Sequence, residues 1–239
     1  MSPKRFIAVL FMGTVLVGMF GFVALIIGGG MHFARHIDSL DSMDDQEMRG
    51  GDPVQSGRVS LEETYKGISI AGPLNLVWHK DAKVAYEVTG PADLLKRVKT
   101  KTENGSLKFW TEKGPFHGDV TITVYGPQPT ELSMLGSGEA TLDNLDGGSL
   151  SIAAAGSGSA NLQGSIAELT ASVAGSGDIE ADQLVCDKVT ANIAGSGNMS
   201  LNVKSNLDVS ILGSGNVSYK GSPAISKSIA GSGRVEHED

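Results

Sequence analysis

The chain has 239 residues, enough for one or two domains, and its composition is that of a folded protein with few aromatic residues (5%) and many glycines (32). Lysine and arginine together number 19 against 27 aspartates and glutamates, so the net charge is −8. This balance argues against nucleic acid as a partner, and against electrostatic docking on an anionic membrane surface, because both are negatively charged.

The first predicted element is a helix that spans a membrane. Residues Phe6 to Ile27 are apolar except for Thr14, and these 22 residues are enough to cross a bilayer. Lys4 and Arg5 precede the segment and mostly acidic residues follow it, so the positive-inside rule places the N-terminus in the cytoplasm and the remainder outside. The sequence therefore predicts an uncleaved signal anchor over residues 1–31, with the lipid bilayer as its partner.

A cleaved signal peptide is the alternative for the same segment. Gly28 and Gly30 would then be the small residues before the cut. The apolar region of a signal peptide usually runs to about 7–15 residues, and this one is longer. The length favours the anchor, and both possibilities stay open at this point.

An acidic linker is predicted over residues 32–57. The segment is polar and contains Gly50-Gly51-Asp52-Pro53, a composition typical of membrane-proximal linkers. His32 and His36 have the spacing of two metal ligands on a helix, but the sequence fixes no further ligand near them. This favours a solvated segment over a metal site.

Strands of an aromatic-rich region follow, over residues 58–125. Apolar and polar residues alternate in five places, which predicts strands at Ile68–Ile70, Leu74–Trp78, Val84–Val88, Leu107–Trp110 and Val120–Val124. We interpret this region as N-terminal coils and a cap, because the terminal repeats of an array are usually atypical. Residues 118–135 already have the length of one coil, 18 residues.

Aromatic side chains in this region are the best candidates for a partner surface. Trp78, Trp110 and Phe116 lie in or near the predicted strands, and aromatic residues anchor both proteins and sugars. The alternative, which is favoured, is that they form the ordinary core of the cap.

A ladder of Gly-Ser-Gly tripeptides occupies residues 126–235. Its first glycines are 20, 19, 20, 18 and 18 residues apart, a spacing that indicates stacked repeats. The glycines of the six tripeptides are Gly136, Gly138, Gly156, Gly158, Gly175, Gly177, Gly195, Gly197, Gly213, Gly215, Gly231 and Gly233.

Alternation with a period of two flanks each tripeptide, as in strands with one buried face. Val173, Ile193 and Ile211, for example, stand two residues before successive tripeptides, with polar residues beside them. A unit this short cannot bury its apolar face alone. The sequence therefore predicts an all-β fold, a single-stranded parallel β-helix of about 18–20 residues per coil, right-handed by the usual crossover preference. Residues 58–235 would form it, with a charged tail over 236–239.

Each Gly-Ser-Gly is interpreted as a corner, because a sharp bend with positive φ excludes Cβ. A phosphate-binding loop would instead need one glycine-rich turn that opens a helix. A flexible linker would lack the flanking alternation. Neither pattern is present around the tripeptides.

With these motifs the chain resembles the head GIN domain family, bacterial domains labelled "putative auto-transporter adhesin". The resemblance covers roughly Ser56 to Val235 and rests on the Gly-Ser-Gly ladder together with three further motifs: Tyr65-Lys66-Gly67-Ile68-Ser69-Ile70-Ala71-Gly72-Pro73, Gly105-Ser106-Leu107-Lys108-Phe109 and Tyr219-Lys220-Gly221-Ser222-Pro223. It implies a β-helical domain in the bacterial cell envelope, and it carries no catalytic residues.

The sequence gives little support for catalysis, metal binding or disulfide formation. Cys186 is the only cysteine, so no internal disulfide forms, and a buried small residue is expected there. A calcium ladder would need an Asp after every corner, but that position also holds Ser159 and Arg234. The ladder contains no histidine for a catalytic triad. We expect no catalytic residue, cofactor or metal.

The sequence patterns and the family resemblance together favour a non-enzymatic function. The chain would be a membrane-anchored envelope module, with its C-terminal domain periplasmic or extracellular, that presents a rigid β-helical surface to an unknown envelope protein or glycan. Both a scaffold or accessory subunit and an adhesin-like role stay open. The alternative is a glycan-active β-helix enzyme such as a polysaccharide lyase or hydrolase, whose acidic residues would gather in a cleft.

Overall fold

The computed structural model describes residues 51–54, 57–112 and 114–238. They form an all-β solenoid with one helical turn, α1 (Ala92–Leu95). Its strands are β1 (Asp52–Pro53), β2 (Gly57–Ser60), β3 (Gly67–Ala71), β4 (Asn75–Lys80), β5 (Ala85–Thr89), β6 (Val98–Glu103), β7 (Ser106–Thr111), β8 (Thr121–Gly126), β9 (Glu131–Gly136), β10 (Glu139–Asp146), β11 (Ser149–Gly156), β12 (Ser159–Gly175), β13 (Asp178–Gly195), β14 (Asn198–Gly213), β15 (Asn216–Lys220), β16 (Ala224–Gly231) and β17 (Arg234–His237).

The N-terminal predictions fall almost wholly outside these residues. The anchor over residues 1–31, its alternative as a signal peptide, and His32 with His36 all lie in the part of the chain that is not described. In the described ranges, no helix has the length and apolar character needed to cross a membrane. The β-structure begins at Asp52, before the predicted domain boundary at residue 58.

The Gly-Ser-Gly ladder stacks as the sequence predicts. Gly136 pairs with Gly156, which in turn pairs with Gly175, and the parallel register continues through Gly195 and Gly213 to Gly231. One corner therefore lies directly on the next in every coil. The prediction of an all-β parallel solenoid is confirmed, while the handedness of the coil stays a prediction.

The core is a narrow column of side chains from the inward positions of successive coils. Val173, Ile193 and Ile211 pair in register and are each at most 2% exposed. On the other side of the corner, Ala160 and Leu162 pair with Ala140 and Leu142, and all four are buried. The predicted alternation therefore assigns the buried face correctly in these coils.

The N-terminal end departs from chain order. The coil formed by β3 and β4 lies between two others: β7 and β8 pair with it on one side, and β9 and β10 on the other. Residues 118–135 have the length of one coil but do not form a single coil, because β8 and β9 belong to layers on opposite sides of β3 and β4. Antiparallel strands β5 and β6, with β2 and β1 outside them, close this end.

A two-residue hairpin joins β6 to β7 at this end. Asn104 and Gly105 have φ of 52° and 75°, the conformation that an Asn-Gly turn adopts between antiparallel strands. The turn pairs β6 with β7 and thereby fixes the direction in which β7 enters the solenoid. The Asn-Gly pair is the sequence signal that points to this hairpin.

Candidate interaction surfaces

Both glycines of each corner are required. A Cβ at any of the six first glycines would lie 2.0–2.8 Å from a backbone carbonyl oxygen of an adjacent coil. The first glycine of each tripeptide has φ between 121° and 136°, a left-handed conformation that side chains rarely adopt. The second glycine does not have such a φ. A Cβ at Gly197, however, would lie 2.1 Å from the carbonyl oxygen of Gly177 in the preceding coil, and at the other five second glycines the distance is 1.8–2.4 Å. The close approach of backbone to backbone excludes any side chain there.

The corners are hydrogen-bonded to one another. The backbone N–H of Ser196 donates to the carbonyl oxygen of Gly175 at 2.8 Å, and the N–H of Ser214 donates to Gly195 at 2.9 Å. An amide that is already bonded within the stack is not available to hold a phosphate. The tripeptides are therefore structural corners, and only the serine side chains are presented to solvent.

The residues that follow the corners form a stacked polar row. The Asp178 Oδ1 accepts hydrogen bonds from the backbone N–H and the Nδ2 of Asn198 at 2.8 and 2.9 Å. The Nδ2 of Asn216 then donates to the Oδ1 of Asn198 at 3.1 Å. These side chains bond to one another between coils, and the described parts of the chain contain no cluster of three or more residues able to hold a metal ion.

Of the aromatic residues proposed as a partner surface, the two tryptophans are buried and Phe116 is half-buried. Trp78 is fully buried, and its Nε1 donates to the hydroxyl of Tyr65 at 3.0 Å. Trp110 is 2% exposed and lies against Gly51, where a Cβ would come within 2.4 Å of its ring. Phe116 is half-buried against the core. Trp78 and Trp110 are therefore core residues of the N-terminal end, which is the alternative that the sequence favoured, and the structure corrects their assignment to a partner surface.

Three acidic residues of the ladder form ion pairs between coils. Lys188 pairs with Glu168 at 3.3 Å, Lys204 with Asp187 at 3.5 Å, and Lys220 with Asp182 at 3.1 Å. Each pair bridges different coils and is substantially exposed, so its contribution to stability is small.

Cys186 is buried, as the sequence predicts, with 1% of its surface exposed. Burial raises the pKa of its thiol to about 12, with the neighbouring Asp187 adding to the shift and Lys204 opposing it. Since the thiolate is the nucleophile, this thiol is unsuited to catalysis near neutral pH.

The thiol of Cys186 is expected to resist labelling in the folded protein. At pH 7 to 9 almost all of it is protonated, and no reagent reaches it without opening the coil. Mass spectrometry after maleimide treatment should find the native chain unmodified and the denatured chain singly modified. Rapid labelling of the native chain would show that Cys186 is accessible.

The two rows of residues that precede the corners and alternate with the core positions form the most regular face. Ala153 (2% exposed) and Ser172 (4% exposed) are buried within it, and its other members are half-buried or exposed. We call it the Ser/Thr face. It consists of two rows whose members pair in register from coil to coil: Glu131, Ser151, Thr170, Thr190, Asp208 and Ser226 in the first, and Ser133, Ala153, Ser172, Asn192, Ser210 and Ser228 in the second. Their side chains are short, so the face is flat, and it repeats at the strand spacing of about 4.8 Å.

These features define a parallel β-solenoid with a repetitive polar exterior. The chain belongs to the family described as "Putative auto-transporter adhesin, head GIN domain", which matches residues 64–223. The resemblance seen in the sequence is thereby confirmed.

Solved structures share the fold. A putative adhesin from Bacteroides fragilis is 21% identical, with a TM-score of 0.61 over 79% of this chain and 100% of its own. A protein from Parabacteroides distasonis described as a putative lipid binding protein is 24% identical, with a TM-score of 0.51 over 79% of this chain and 98% of its own. No curated protein matches the chain significantly.

Proposed function

We propose that the chain is a non-enzymatic, adhesin-like module of the bacterial envelope, whose Ser/Thr face binds an envelope protein or a glycan. The observation that carries the proposal is the in-register repetition of mostly short polar side chains over six coils, from Glu131 and Ser133 to Ser226 and Ser228, interrupted by the buried Ala153. A flat face of this kind can contact an extended partner at many equivalent points. Its backbone is held by the sheet, so little conformational entropy is lost on binding.

The family and the fold support this proposal. The family is described as a putative auto-transporter adhesin, and the similar protein from Bacteroides fragilis is described as a putative adhesin. The acidic residues pair between coils, and the lone thiol is buried. These features favour binding over catalysis, and both a scaffold subunit and an adhesin-like protein remain consistent with them.

Binding to the Ser/Thr face is tested with a pair of charge variants. The full chain, purified in detergent, is applied to arrays of envelope glycans and purified envelope proteins. Thr190→Arg with Asn192→Arg should weaken any binding by about tenfold or more, because the two arginine side chains would project from the face and obstruct the partner. Glu180→Arg, an exposed substitution on the other side of the corner, should leave binding unchanged. Equal binding by all three proteins would contradict the use of this face, and cleavage of a bound glycan would favour the enzyme alternative.

A membrane anchor is part of the same proposal. Residues 6–27 would cross the bacterial inner membrane once, with the N-terminus in the cytoplasm and the solenoid periplasmic or extracellular. The support is the 22-residue apolar segment with Lys4 and Arg5 before it. The anchor would hold the capped N-terminal end of the solenoid near the membrane and leave the C-terminal end furthest from it.

The anchor is expected to be retained in the mature protein. Mass spectrometry of the protein from its own cell should find peptides that include residues 6–27, in the membrane fraction. A new N-terminus between Gly28 and Ala34 would show cleavage and would remove the anchor from the proposal.

A further inference from the structure

The two ends of the solenoid differ in how their strand edges are covered. The N-terminal end is closed by antiparallel β5 and β6. At the C-terminal end, β16 pairs with β14 along one edge and β17 pairs with β15, and no described strand pairs with their opposite edges. The last coil therefore presents unpaired backbone N–H and C=O groups, which can accept a further strand.

The exposed large apolar side chains of the described residues gather at this same end. They are Ile225 (41% exposed), Ile229 (38%) and, on the coil before, Leu212 (47%). Ile225 and Ile229 occupy the inward positions of β16, since they pair with buried Leu207 and Ile211. In β11 to β14 the residues at these two positions are buried under the next coil, whereas no described layer covers Ile225 and Ile229.

Between these two isoleucines, β16 carries a positive charge. Lys227 pairs with buried Val209 and therefore stands in the inward row, where the earlier coils have Leu132, Ile152, Ala171 and Ala191. Among the described residues, no carboxylate pairs with its ammonium group. A layer that covers the end would have to place an acidic group opposite Lys227, because an unpaired charge is costly to bury.

We propose that the C-terminal end is a docking site for an extended segment of a partner protein, added to β16 as a further strand. The segment carries an acidic residue flanked two positions away on each side by apolar residues. The apolar residues cover Ile225 and Ile229, and the carboxylate pairs with Lys227. Backbone hydrogen bonds along the edge hold the strand, and the three side chains select it, as in other cases of strand addition.

A second copy of this chain does not fit the site. When two β16 strands pair antiparallel so that Ile225 covers Ile229 of the second copy, the two Lys227 ammonium groups stand opposite one another. Like charges directly opposite across a strand pair are destabilising. Lys227 therefore disfavours tail-to-tail stacking and favours an acidic partner, and this inference does not depend on the Ser/Thr face.

A designed peptide tests the proposal directly. The probe is Thr-Ile-Thr-Glu-Thr-Ile-Thr with a fluorescent label, which reads the same in both strand directions. Its binding to the full chain in mild detergent is followed by fluorescence anisotropy. Hydrogen exchange of residues 224–231 is measured in parallel. We expect saturable binding together with slowed exchange in β16.

Charge exchange supplies the matched controls. A peptide with Lys in place of Glu should bind the natural chain at least about tenfold more weakly, and Lys227→Glu should reverse that preference. Ser228→Glu puts the same charge on the outward side of β16 and should change the affinity far less. N-methylation of the peptide backbone should abolish binding.

Several results would overturn the proposal. Equal binding of the Glu and Lys peptides would show that the peptides bind through their apolar side chains and that Lys227 does not select an acidic residue. Absence of binding, or slowed exchange elsewhere but not in β16, would remove the site. Sedimentation that shows the chain pairing with itself through β16 would assign the end to a second copy.

Discussion

Replacing Ile193 with Asp is expected to lower the free energy of unfolding by several kcal/mol. Ile193 is 2% exposed and packs between Val173 and Ile211 of the neighbouring coils. A carboxylate there would be buried without a cation to pair with it. Each coil contacts only its neighbours, so the coils on both sides should loosen before the rest of the solenoid.

Asn192→Asp is the matched control for this substitution. Asn192 is the adjacent residue and faces outward, with its Nδ2 3.5 Å from the Ser172 Oγ. The same charge at this position should cost roughly 0.5 kcal/mol or less. Thermal unfolding of the full chain in detergent compares the two variants, and hydrogen exchange locates the loosened coils. Equal melting temperatures would contradict the assignment of inward and outward faces.

Replacing Gly197 with Ala is expected to destabilise the solenoid by about 1–3 kcal/mol or more, the range for overpacking a tight interior. The new Cβ would meet the carbonyl oxygen of Gly177 at 2.1 Å and the Cγ1 of Val173 at 2.7 Å. The oxygen belongs to a backbone that is hydrogen-bonded in the stack. Relief therefore requires the coils to separate at the corner.

Two further alanine variants distinguish the cost of the close contact at the corner from the cost of a left-handed backbone conformation. Gly147 has φ of 58°, and no atom lies within 4 Å of the position that a Cβ would take there, so Gly147→Ala should cost only about 1 kcal/mol for the left-handed conformation. Ser196→Ala, at an exposed corner position, should be nearly neutral. Urea unfolding midpoints give the order of the three variants. A Gly197→Ala variant as stable as Ser196→Ala would show that the corners do not stack closely.

The ladder could be predicted from the sequence because its contacts repeat. Each corner pairs with the corner one coil away, so the step between first glycines fixes the register, and the alternation then fixes which side chains are buried. Val173, Ile193 and Ile211 follow from this reasoning alone. The need for the second glycine of each corner does not follow from the repeat pattern, because the contact between Gly197 and Gly177 forms only when the coils are stacked.

The N-terminal end could not be predicted in the same way. The insertion of β3 and β4 between other layers depends on pairings between distant segments, such as β3 with β9, that no local period reports. Trp78 lies in the core, where its neighbour in register is Leu142, as the favoured interpretation of the sequence predicts.

Lys227 shows how the pattern and the structure combine. By alternation it occupies an inward position, which is a poor place for a lysine in a closed coil. Among the described strands, β16 pairs only with β14, and Lys227 is exposed.

Disulfide trapping across the Ser/Thr face tests the central claim, that the coils stack in register as one continuous surface. Thr170 and Thr190 pair in register, so their Cα atoms lie about 4.8 Å apart, within the range that a disulfide bridges. Thr170→Cys with Thr190→Cys should therefore crosslink rapidly under mild oxidation, as seen by mass spectrometry. Thr170→Cys with Asp208→Cys, two coils apart at about 9.6 Å, should not. A second pair that crosslinks as readily as the first would contradict the register of the solenoid.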